Sequence, residues 1–378
     1  MQEKLFGVLL LACVPMFLLL STCSNNGPTE PGSGSQENRS YALGFTDFPH
    51  AKSSNGTAAA FAAIANDGDM AVMHFDGGVP WQEALDGTPY PMNVQAELDG
   101  KASAIPSDHI VYLAVTPIAF SRDKLAEKWG DTTNQPLDSP WDTRTFDHPA
   151  VINAFANHCE RMIQIFSPDF FAFAIEANML KDLAPSKWPA FVTFADSVYH
   201  SVKNRHPKLP VFITIQANTF HRSPNEQSAA ISEILPFTEM IAVSAYPFVD
   251  QADPASLPAD YFSKIANLAA DKPFAIAETS WPAEDVTAPY PIVIPASDSI
   301  QVAYMQRLLA DCDKLSARFI DWFFTRDYDD FWESDLKFIS IAPTVRLWKD
   351  SGLYDGSGNP RPALKPWRDK LALPRESP

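Results

Sequence analysis

Eight short apolar segments alternate with longer, more polar segments along this chain, and this alternation restricts the possible folds more than any other feature. The segments are rich in aliphatic and aromatic residues, as strands covered on both faces usually are. Eight strands that alternate with helices favour a parallel sheet, and no glycine-rich turn follows the first one. We therefore predict an α/β fold, a closed (β/α)8 TIM barrel in a single domain. The predicted strands are residues 41–45, 70–75, 110–115, 170–175, 211–215, 240–244, 274–277 and 319–324.

The length and composition are compatible with one large barrel. Such barrels need roughly 250 residues or more, and the 378 residues here are 46% hydrophobic and include 26 phenylalanines. We assign residues 41–378 to the barrel. The formal net charge of −17 disfavours nucleic acid and anionic lipid as partners, because an acidic surface repels phosphate groups. We expect a neutral ligand, no nucleic acid and a monomer.

The first residues predict export. Residues 5–20 are almost entirely apolar and follow Lys4, but the run is marginal for a membrane span and is interrupted by Pro15. This pattern is typical of a signal peptide. We assign residues 1–23 to a signal segment. Residues 24–40, rich in Ser, Asn, Gly and Pro, are predicted to be a flexible linker.

The end of the signal segment resembles a bacterial lipoprotein signal. Residues 20–23 read Leu-Ser-Thr-Cys, and the resemblance implies that Cys23 carries a lipid, which would be the protein's membrane anchor. Thr22 departs from the Gly, Ala or Ser that usually precedes this cysteine. An ordinary secretory signal, giving a secreted protein, and an uncleaved anchor therefore stay open as alternatives.

Only two cysteines, Cys159 and Cys312, lie in the predicted barrel. They fall in the predicted third and seventh helices, which are far apart on the rim of a barrel. We therefore expect two free buried thiols. The chain has no His/Cys spacing typical of a metal site, so we expect no metal and no cofactor. The acidic stretch at residues 327–330 also lacks the spacing of a calcium loop, and we interpret it as a solvated turn.

Two of the predicted strands end in a glutamate. Glu176 follows the fourth strand and Glu278 follows the seventh. In a (β/α)8 barrel, residues at the carboxyl ends of the strands line one open end, where active sites lie. Hydrolysis of a glycosidic bond needs two carboxyl groups, one to protonate the leaving oxygen and one to attack or to activate water. The pair predicts a glycosidase site, although either glutamate alone fits a helix cap or a salt bridge equally well.

The strand ends resemble those of the clan A glycoside hydrolases. Residues 276–282, Ile-Ala-Glu-Thr-Ser-Trp-Pro, are similar to the nucleophile strands of plant-type β-glucanases and of family 53 endo-β-1,4-galactanases. The resemblance implies a retaining mechanism with Glu278 as nucleophile and Glu176 as general acid/base. It also implies that Tyr246 hydrogen-bonds the nucleophile and that Trp322 forms an aromatic floor beneath the sugar.

The chain departs from the clan pattern at Ile175, where the clan usually has an Asn that binds the sugar 2-hydroxyl. Asn178 is either a substitute for that Asn or a loop residue. Other polar and aromatic residues after the strands have side chains suited to sugar hydroxyls or ring faces, although turns, capping and loop packing explain them equally well. The predicted substrate-binding residues are Asn178, Tyr246, Trp322, Trp281, Gln216, Asp47, Asp76 and Trp81.

The sequence thus predicts an exported, endo-acting hydrolase of β-linked oligo- or polysaccharide. Long segments after the second, third and seventh strands suggest a groove for several sugars. A non-catalytic glycan-binding surface lipoprotein on the same barrel is the alternative, and Ile175 favours it. A metal-dependent barrel hydrolase is a weaker alternative, because no histidines cluster near the predicted strand ends.

Overall fold

The structure, a computed structural model, describes residues 38–287 and 293–376. The predicted signal segment, most of the predicted linker and Cys23 lie outside the described residues. Within these ranges, no helix is both long enough and apolar enough to cross a membrane.

Eight parallel strands close into a barrel, each paired with the next along the chain and the last paired with the first. The predicted (β/α)8 fold is confirmed. Two strands coincide with their predicted limits, and the others differ from them by one or two residues at an end. The strands are β1 (Ala42–Thr46), β2 (Met70–Phe75), β3 (Ile110–Val115), β4 (Phe170–Ala174), β5 (Val211–Gln216), β6 (Ile241–Ala245), β7 (Phe274–Thr279) and β8 (Phe319–Trp322).

Helices surround the barrel and cover the outer faces of the strands. Their ends follow from local chemistry, as in the long helix between β3 and β4, where Pro149 occupies the first turn and the His148 ring caps the Ala150 N–H at 3.1 Å. The helices are α1 (Ser54–Asp67), α2 (Trp81–Asp86), α3 (Met92–Ala104), α4 (Pro149–Phe166), α5 (Asn178–Leu183), α6 (Trp188–Arg205), α7 (Ala217–Arg222), α8 (Pro224–Ile234), α9 (Tyr261–Ala266), α10 (Asp298–Lys314), α11 (Asp329–Ser334), α12 (Ala342–Val345) and α13 (Leu364–Leu371).

The inside of the barrel is packed with side chains. Tyr112, Phe212 and Phe319 meet there, with ring centroids 4.8 Å apart for Tyr112 and Phe319 and 5.7 Å apart for Tyr112 and Phe212. Smaller apolar side chains fill the space around them. The lower barrel is therefore a solid support. The open end, at the carboxyl ends of the strands, is called the mouth below.

The two ends of the described chain meet at the opposite end of the barrel. The Arg39 guanidinium donates to the carbonyls of Tyr41 at 2.6 Å and Leu373 at 3.1 Å and pairs with Asp69 at 2.8 Å. A cavity of about 1050 Å³ opens at this end, lined by Ser40 and Arg318 among others. None of the mouth residues lines this cavity.

Two further predictions can be compared with the structure. Cys159 and Cys312 are free and buried, as predicted, and burial raises the pKa of both thiols. The prediction of a solvated turn at residues 327–330 is wrong at its first two residues, because Asp327 and Tyr328 are buried. Asp327 is buried because Arg361, from the segment before α13, contacts its carboxylate, and Gly352 N–H donates to it at 2.7 Å.

Candidate active site

The two predicted catalytic glutamates both lie at the mouth. Glu278 is on β7, and Glu176 follows the end of β4. Their side chains are 12% and 13% exposed, so each is shielded yet reachable from solvent. Glu176 has a left-handed backbone with a φ of +50°. Non-glycine residues in this conformation are uncommon and are over-represented at functional sites.

A β-bulge directs Glu278 into the mouth. Val243 on β6 pairs with Ile276, but the next residue, Ser244, pairs with Glu278, so β7 contains one extra residue at this point. Side chains alternate strictly along a regular strand, and a bulge resets that alternation. Ala277 packs inside the barrel, and Glu278 directly after it reaches the site.

Glu278 contacts a tyrosine and a histidine. The Tyr246 hydroxyl donates to Glu278 Oε1, as predicted, and His74 Nδ1 lies 3.7 Å from Oε2. Burial raises the pKa of Glu278 to about 7, and the nearby charge of Glu176 acts in the same direction. His74 and the Tyr246 hydrogen bond oppose this rise, because both favour the ionised carboxylate.

Glu176 is held by an arginine that the sequence analysis did not single out. Arg122, in the segment after β3, donates from Nε to Glu176 Oε2 at 3.0 Å and is almost fully buried. Its own backbone is left-handed, with a φ of +58°. On the other side, Thr214 Oγ1 accepts a hydrogen bond from the Glu176 N–H at 2.8 Å. The position of Glu176 is therefore fixed by β5 and by the segment after β3.

Asp76 and His74 connect the two glutamates. Asp76 Oδ2 lies 3.5 Å from Arg122 Nη2 and 3.8 Å from His74 Nε2. Burial opposes ionisation of Asp76, but His74 and Arg122 outweigh it and lower the Asp76 pKa to about 2. Burial likewise disfavours the charged form of His74, but Asp76 and Glu278 raise its pKa to about 9. We call Glu176, Arg122, Asp76, His74 and Glu278 the mouth network.

An additional carboxyl group, Asp321, lies beneath the mouth network inside the barrel. The Thr46 hydroxyl donates to Asp321 Oδ2 at 2.7 Å, while Oδ1 has no partner among the described residues. Burial raises the pKa of Asp321 well above its usual value. The sequence did carry a signal for this group, because an aspartate within an otherwise apolar strand is unusual.

The three tryptophans predicted to bind sugar do not face the mouth. Strand alternation explains the correction for Trp322, because Asp321 points into the barrel and the next side chain must point outward. The Trp322 indole is fully buried beside Tyr304 of α10 and donates to the Ser351 carbonyl at 2.9 Å. Trp281 and Trp81 are also buried, and Trp81 donates to the Ala126 carbonyl. The predicted aromatic floor and loop subsites are therefore wrong for these residues.

Three predicted polar sugar ligands are occupied by structural contacts. Asn178 accepts from the Gln216 N–H at 2.7 Å and donates to the Gln216 carbonyl and to Gln227. Gln216 caps α7 by accepting from the Thr219 N–H at 2.5 Å. Asp47 pairs with Lys101 at 2.5 Å. Asn178 is fully buried, so it does not substitute for the missing Asn at position 175.

Other aromatic residues do line the mouth. Phe323, Phe48 and Trp348 are partly exposed, and the Phe323 ring lies 5.8 Å from Phe48 and 6.1 Å from Trp348. The Trp348 ring also lies 5.2 Å from that of Tyr246, which contacts Glu278. These rings form an apolar wall beside the nucleophile candidate, suited to the apolar face of a sugar ring. Phe323 directly follows Trp322, the residue that the sequence predicts as the aromatic floor.

The described residues contain one group of carboxylates close enough to hold a metal ion, Glu284, Asp327 and Asp350. Arg361 contacts Glu284 at 2.7 Å and Asp298 at 3.0 Å as well as Asp327, and Arg346 pairs with Asp350 at 2.8 Å, so each carboxylate of this group already has a cationic partner. We call Arg361, Asp327, Glu284 and Asp298 the Arg361 cluster. It lies away from the mouth network, among the segments that follow β7 and β8.

Comparison with known proteins establishes the fold. No family model and no curated protein matches the chain. Among solved structures, a GH53 catalytic domain from Ignisphaera aggregans is 16% identical with a TM-score of 0.52, over 86% of this chain and 90% of that one. A GH5_18 enzyme from Streptomyces cattleya, solved with Manβ1-4GlcNAc, is 13% identical with a TM-score of 0.62, over 89% and 83%.

An exo-β-1,4-mannosidase from Opitutaceae bacterium strain TAV5 is also 13% identical, with a TM-score of 0.63 over 91% of this chain. This chain spans only 62% of that enzyme. At such low identities the likeness concerns the fold alone. The chain therefore has the (β/α)8 barrel fold that these glycoside hydrolases share, with two glutamates at the mouth of its barrel.

Proposed function

We propose that this protein is a retaining glycoside hydrolase that cleaves β-linked oligo- or polysaccharide, with Glu278 as nucleophile and Glu176 as general acid/base. One observation carries the proposal: two shielded carboxyl groups, from the ends of β4 and β7, share one mouth and are joined by a single polar network. This is the pair of groups that glycoside hydrolysis requires.

In the first step, a Glu278 carboxylate oxygen attacks the anomeric carbon while Glu176 gives its proton to the departing glycosidic oxygen. The glycosidic bond breaks, and a glycosyl ester of Glu278 and a free alcohol result. In the second step, Glu176 takes a proton from water, the hydroxide attacks the same carbon, and Glu278 leaves as a carboxylate. Tyr246, by donating to Glu278, would favour the ionised form of the nucleophile and orient it.

The contact between Arg122 and Glu176 suits the second step of the reaction better than the first. A guanidinium is the natural partner of a carboxylate, so the contact suits Glu176 when it acts as a base. In the first step Glu176 must carry a proton, and an N–H donor facing a carboxylic acid is then a weaker partner. The mechanism therefore requires Arg122 to loosen its hold on Glu176 when substrate binds.

For the substrate, we propose a β-1,4-linked polysaccharide and endo action. The long segments after β2 and β3 and the partly exposed Phe48, Phe323 and Trp348 would form a groove with stacking surfaces. One of the structurally similar proteins is an exo-β-1,4-mannosidase and another was solved with Manβ1-4GlcNAc, so mannosides join galactan as candidates. We also propose export, with a lipid on Cys23 as the membrane anchor.

The test is hydrolysis of a panel of polysaccharides that contains β-1,4-galactan, β-mannan, xylan and β-glucan. The parent protein is compared with Glu278→Gln and with the control Glu284→Gln, which changes an exposed carboxylate of the Arg361 cluster. We expect new reducing ends from the parent and the control only, and a product that initially has the β configuration by NMR. Equal activity of Glu278→Gln, or an initial α product, would contradict the proposal.

A glycan-binding protein without hydrolytic activity is the second candidate. Two observations favour it: Arg122 pairs with the proposed acid, and Ile175 replaces the Asn expected beside it. In that case the parent would bind one polysaccharide of the panel in affinity electrophoresis, and no reducing ends would appear during prolonged incubation. The purely glycan-binding function would be excluded if the parent protein released reducing ends and Glu278→Gln did not.

A further inference from the structure

We infer that Asp76 is a positioning residue that holds both cations of the mouth, His74 and Arg122, and so determines which carboxylate each of them serves. The sequence predicts Asp76 only as a sugar ligand. The kinetic part of the inference rests on the proposed function. Its structural part concerns the mouth network alone.

A single oxygen of Asp76 faces both cations. Asp76 Oδ2 lies 3.5 Å from Arg122 Nη2 and 3.8 Å from His74 Nε2. The two cations turn their other nitrogens to different glutamates, Arg122 Nε to Glu176 and His74 Nδ1 to Glu278. Asp76 is therefore shared by two chains of contacts, which we call arms. The first arm runs through His74 to Glu278, and the second runs through Arg122 to Glu176.

On the first arm, Asp76 orients the His74 ring. An imidazole with a carboxylate at one nitrogen has its protonation and ring orientation fixed by that partner, which decides what the other nitrogen presents. The side chain of His74 is only 13% exposed, so little solvent competes for this role. Without the Asp76 charge, His74 would lose its proton more readily, and Glu278 would face a neutral ring.

On the second arm, Asp76 offers Arg122 a partner other than Glu176. The guanidinium carries several N–H donors on a planar group, and it already points one of them at each carboxylate. When Glu176 takes up a proton, its attraction for Arg122 falls, while Asp76 stays ionised. Asp76 would then hold the guanidinium and leave Glu176 free to act as an acid.

The test is an NMR titration of His74 with isotope-labelled histidine, its signal assigned through the loss of that signal in His74→Gln. The charged and titratable groups that face His74 are Asp76 after β2, Arg122 after β3, Glu278 on β7 and Asp321 on β8. The variants are Asp76→Asn, Arg122→Gln and the control Asp47→Asn. Asp47 is also a buried aspartate with a cationic partner, but it pairs with Lys101 instead.

The two test variants should shift the pKa of His74 in opposite directions. We expect Asp76→Asn to lower the pKa of His74 by about one to three pH units from its value of about 9. Arg122→Gln removes a repelling cation and should raise the pKa of His74. Asp47→Asn should leave the pKa of His74 within a few tenths of a unit of its parent value. Folding is verified beforehand by thermal melting. An unchanged or raised pKa of His74 in Asp76→Asn would overturn the inference. A lowered pKa of His74 in Arg122→Gln would also overturn it, and this second result can be obtained even if Asp76→Asn fails to fold.

The ratio of activities on two kinds of glycoside provides a kinetic test, because a merely structural role of Asp76 would not change this ratio. Aryl glycosides with a dinitrophenyl leaving group need little help from a general acid, whereas alkyl glycosides depend on it. Asp76→Asn should lose at least about tenfold more activity on the alkyl than on the dinitrophenyl glycoside. Equal losses would overturn the kinetic part. A parent protein inactive on every glycoside would instead contradict the proposed function, and the His74 titration would still test the positioning role.

Discussion

The mouth network and the Arg361 cluster are two groups of charges in the same molecule, and they are built differently. In the Arg361 cluster, one guanidinium contacts Asp327, Glu284 and Asp298, and Asp327 also accepts the Gly352 N–H. Asp327 has no solvent exposure. In the mouth network two cations are shared among three carboxylates, several of the contacts are 3.5–3.8 Å long, and both glutamates can be reached from outside.

We interpret the difference as one between structural and functional ion pairs. A carboxylate with short, fixed partners and no access to solvent contributes to folding, because exchanging a partner would leave a buried charge uncompensated. A carboxylate with long contacts and a shared cation can exchange partners or a proton at low cost. Burial and charge alone therefore do not identify an active site. Position at the strand ends and incomplete pairing are the features on which we base the candidate site.

The largest expected effect is a loss of activity when a glutamate of the mouth network is replaced. Glu278→Ala should reduce kcat/KM by on the order of 10⁴-fold, because no nucleophile remains. Azide, which fits the space of the lost carboxylate, should restore part of the rate and yield an α-glycosyl azide detectable by mass spectrometry and NMR. Activity within tenfold of the parent, or azide with no effect, would remove Glu278 from the mechanism.

The next prediction concerns stability. Arg361→Met should lower the free energy of unfolding by about 3–5 kcal/mol, because it leaves buried Asp327 without its cation. The control Arg222→Met breaks an exposed pair with Asp250 and should cost about 1 kcal/mol or less. Both are measured by denaturant unfolding. Turnover per folded molecule should be unchanged, and a specific loss of turnover in Arg361→Met would make the cluster part of the site.

Glu176→Gln should separate the acid step from the rest of the reaction. The amide cannot donate a proton as the acid does, so kcat/KM on alkyl glycosides should fall by about 10²-fold or more. For a dinitrophenyl glycoside the formation of the glycosyl ester should be almost unaffected, and a burst of dinitrophenol should precede a slow steady state. Equal losses on both substrates would contradict the role of Glu176 as the acid.

The smallest expected effect is a shift in the pH profile of Tyr246→Phe. The Tyr246 hydrogen bond favours the ionised form of Glu278, so its loss should raise the pKa of Glu278 above its value of about 7. Since the ionised form attacks, the acidic limb of the kcat/KM profile should move to higher pH by about one unit. A limb that moves to lower pH would show that Tyr246 stabilises the protonated form.

The barrel and the two glutamates were predictable because they depend on local patterns. Apolar runs mark the strands, and an acid at the end of a buried run is conspicuous in the sequence. His74 could also have been found, since it follows the inward-facing Met70 and Val72 at the spacing of two residues. The same alternation would have corrected Trp322, because Phe319 and Asp321 take the inward positions on β8.

Arg122 and the inward direction of Glu278 could not be predicted in this way. Arg122 reaches Glu176 because the segment after β3 adopts a left-handed conformation at Arg122 itself, which no sequence period marks. Glu278 reaches the mouth through an extra residue in β7, and strict alternation from Ala275 would have turned it toward the outer helices. Both features depend on tertiary packing.

The junction of the two chain ends around Arg39 has a practical consequence. Residue 38 and residue 376 both leave the body near the amino-terminal ends of the strands, on the side remote from Glu176 and Glu278. A chip or a bead joined to the protein at residue 38 would therefore leave the mouth turned outward. Long polymers that cannot enter a confined space would still gain access to it.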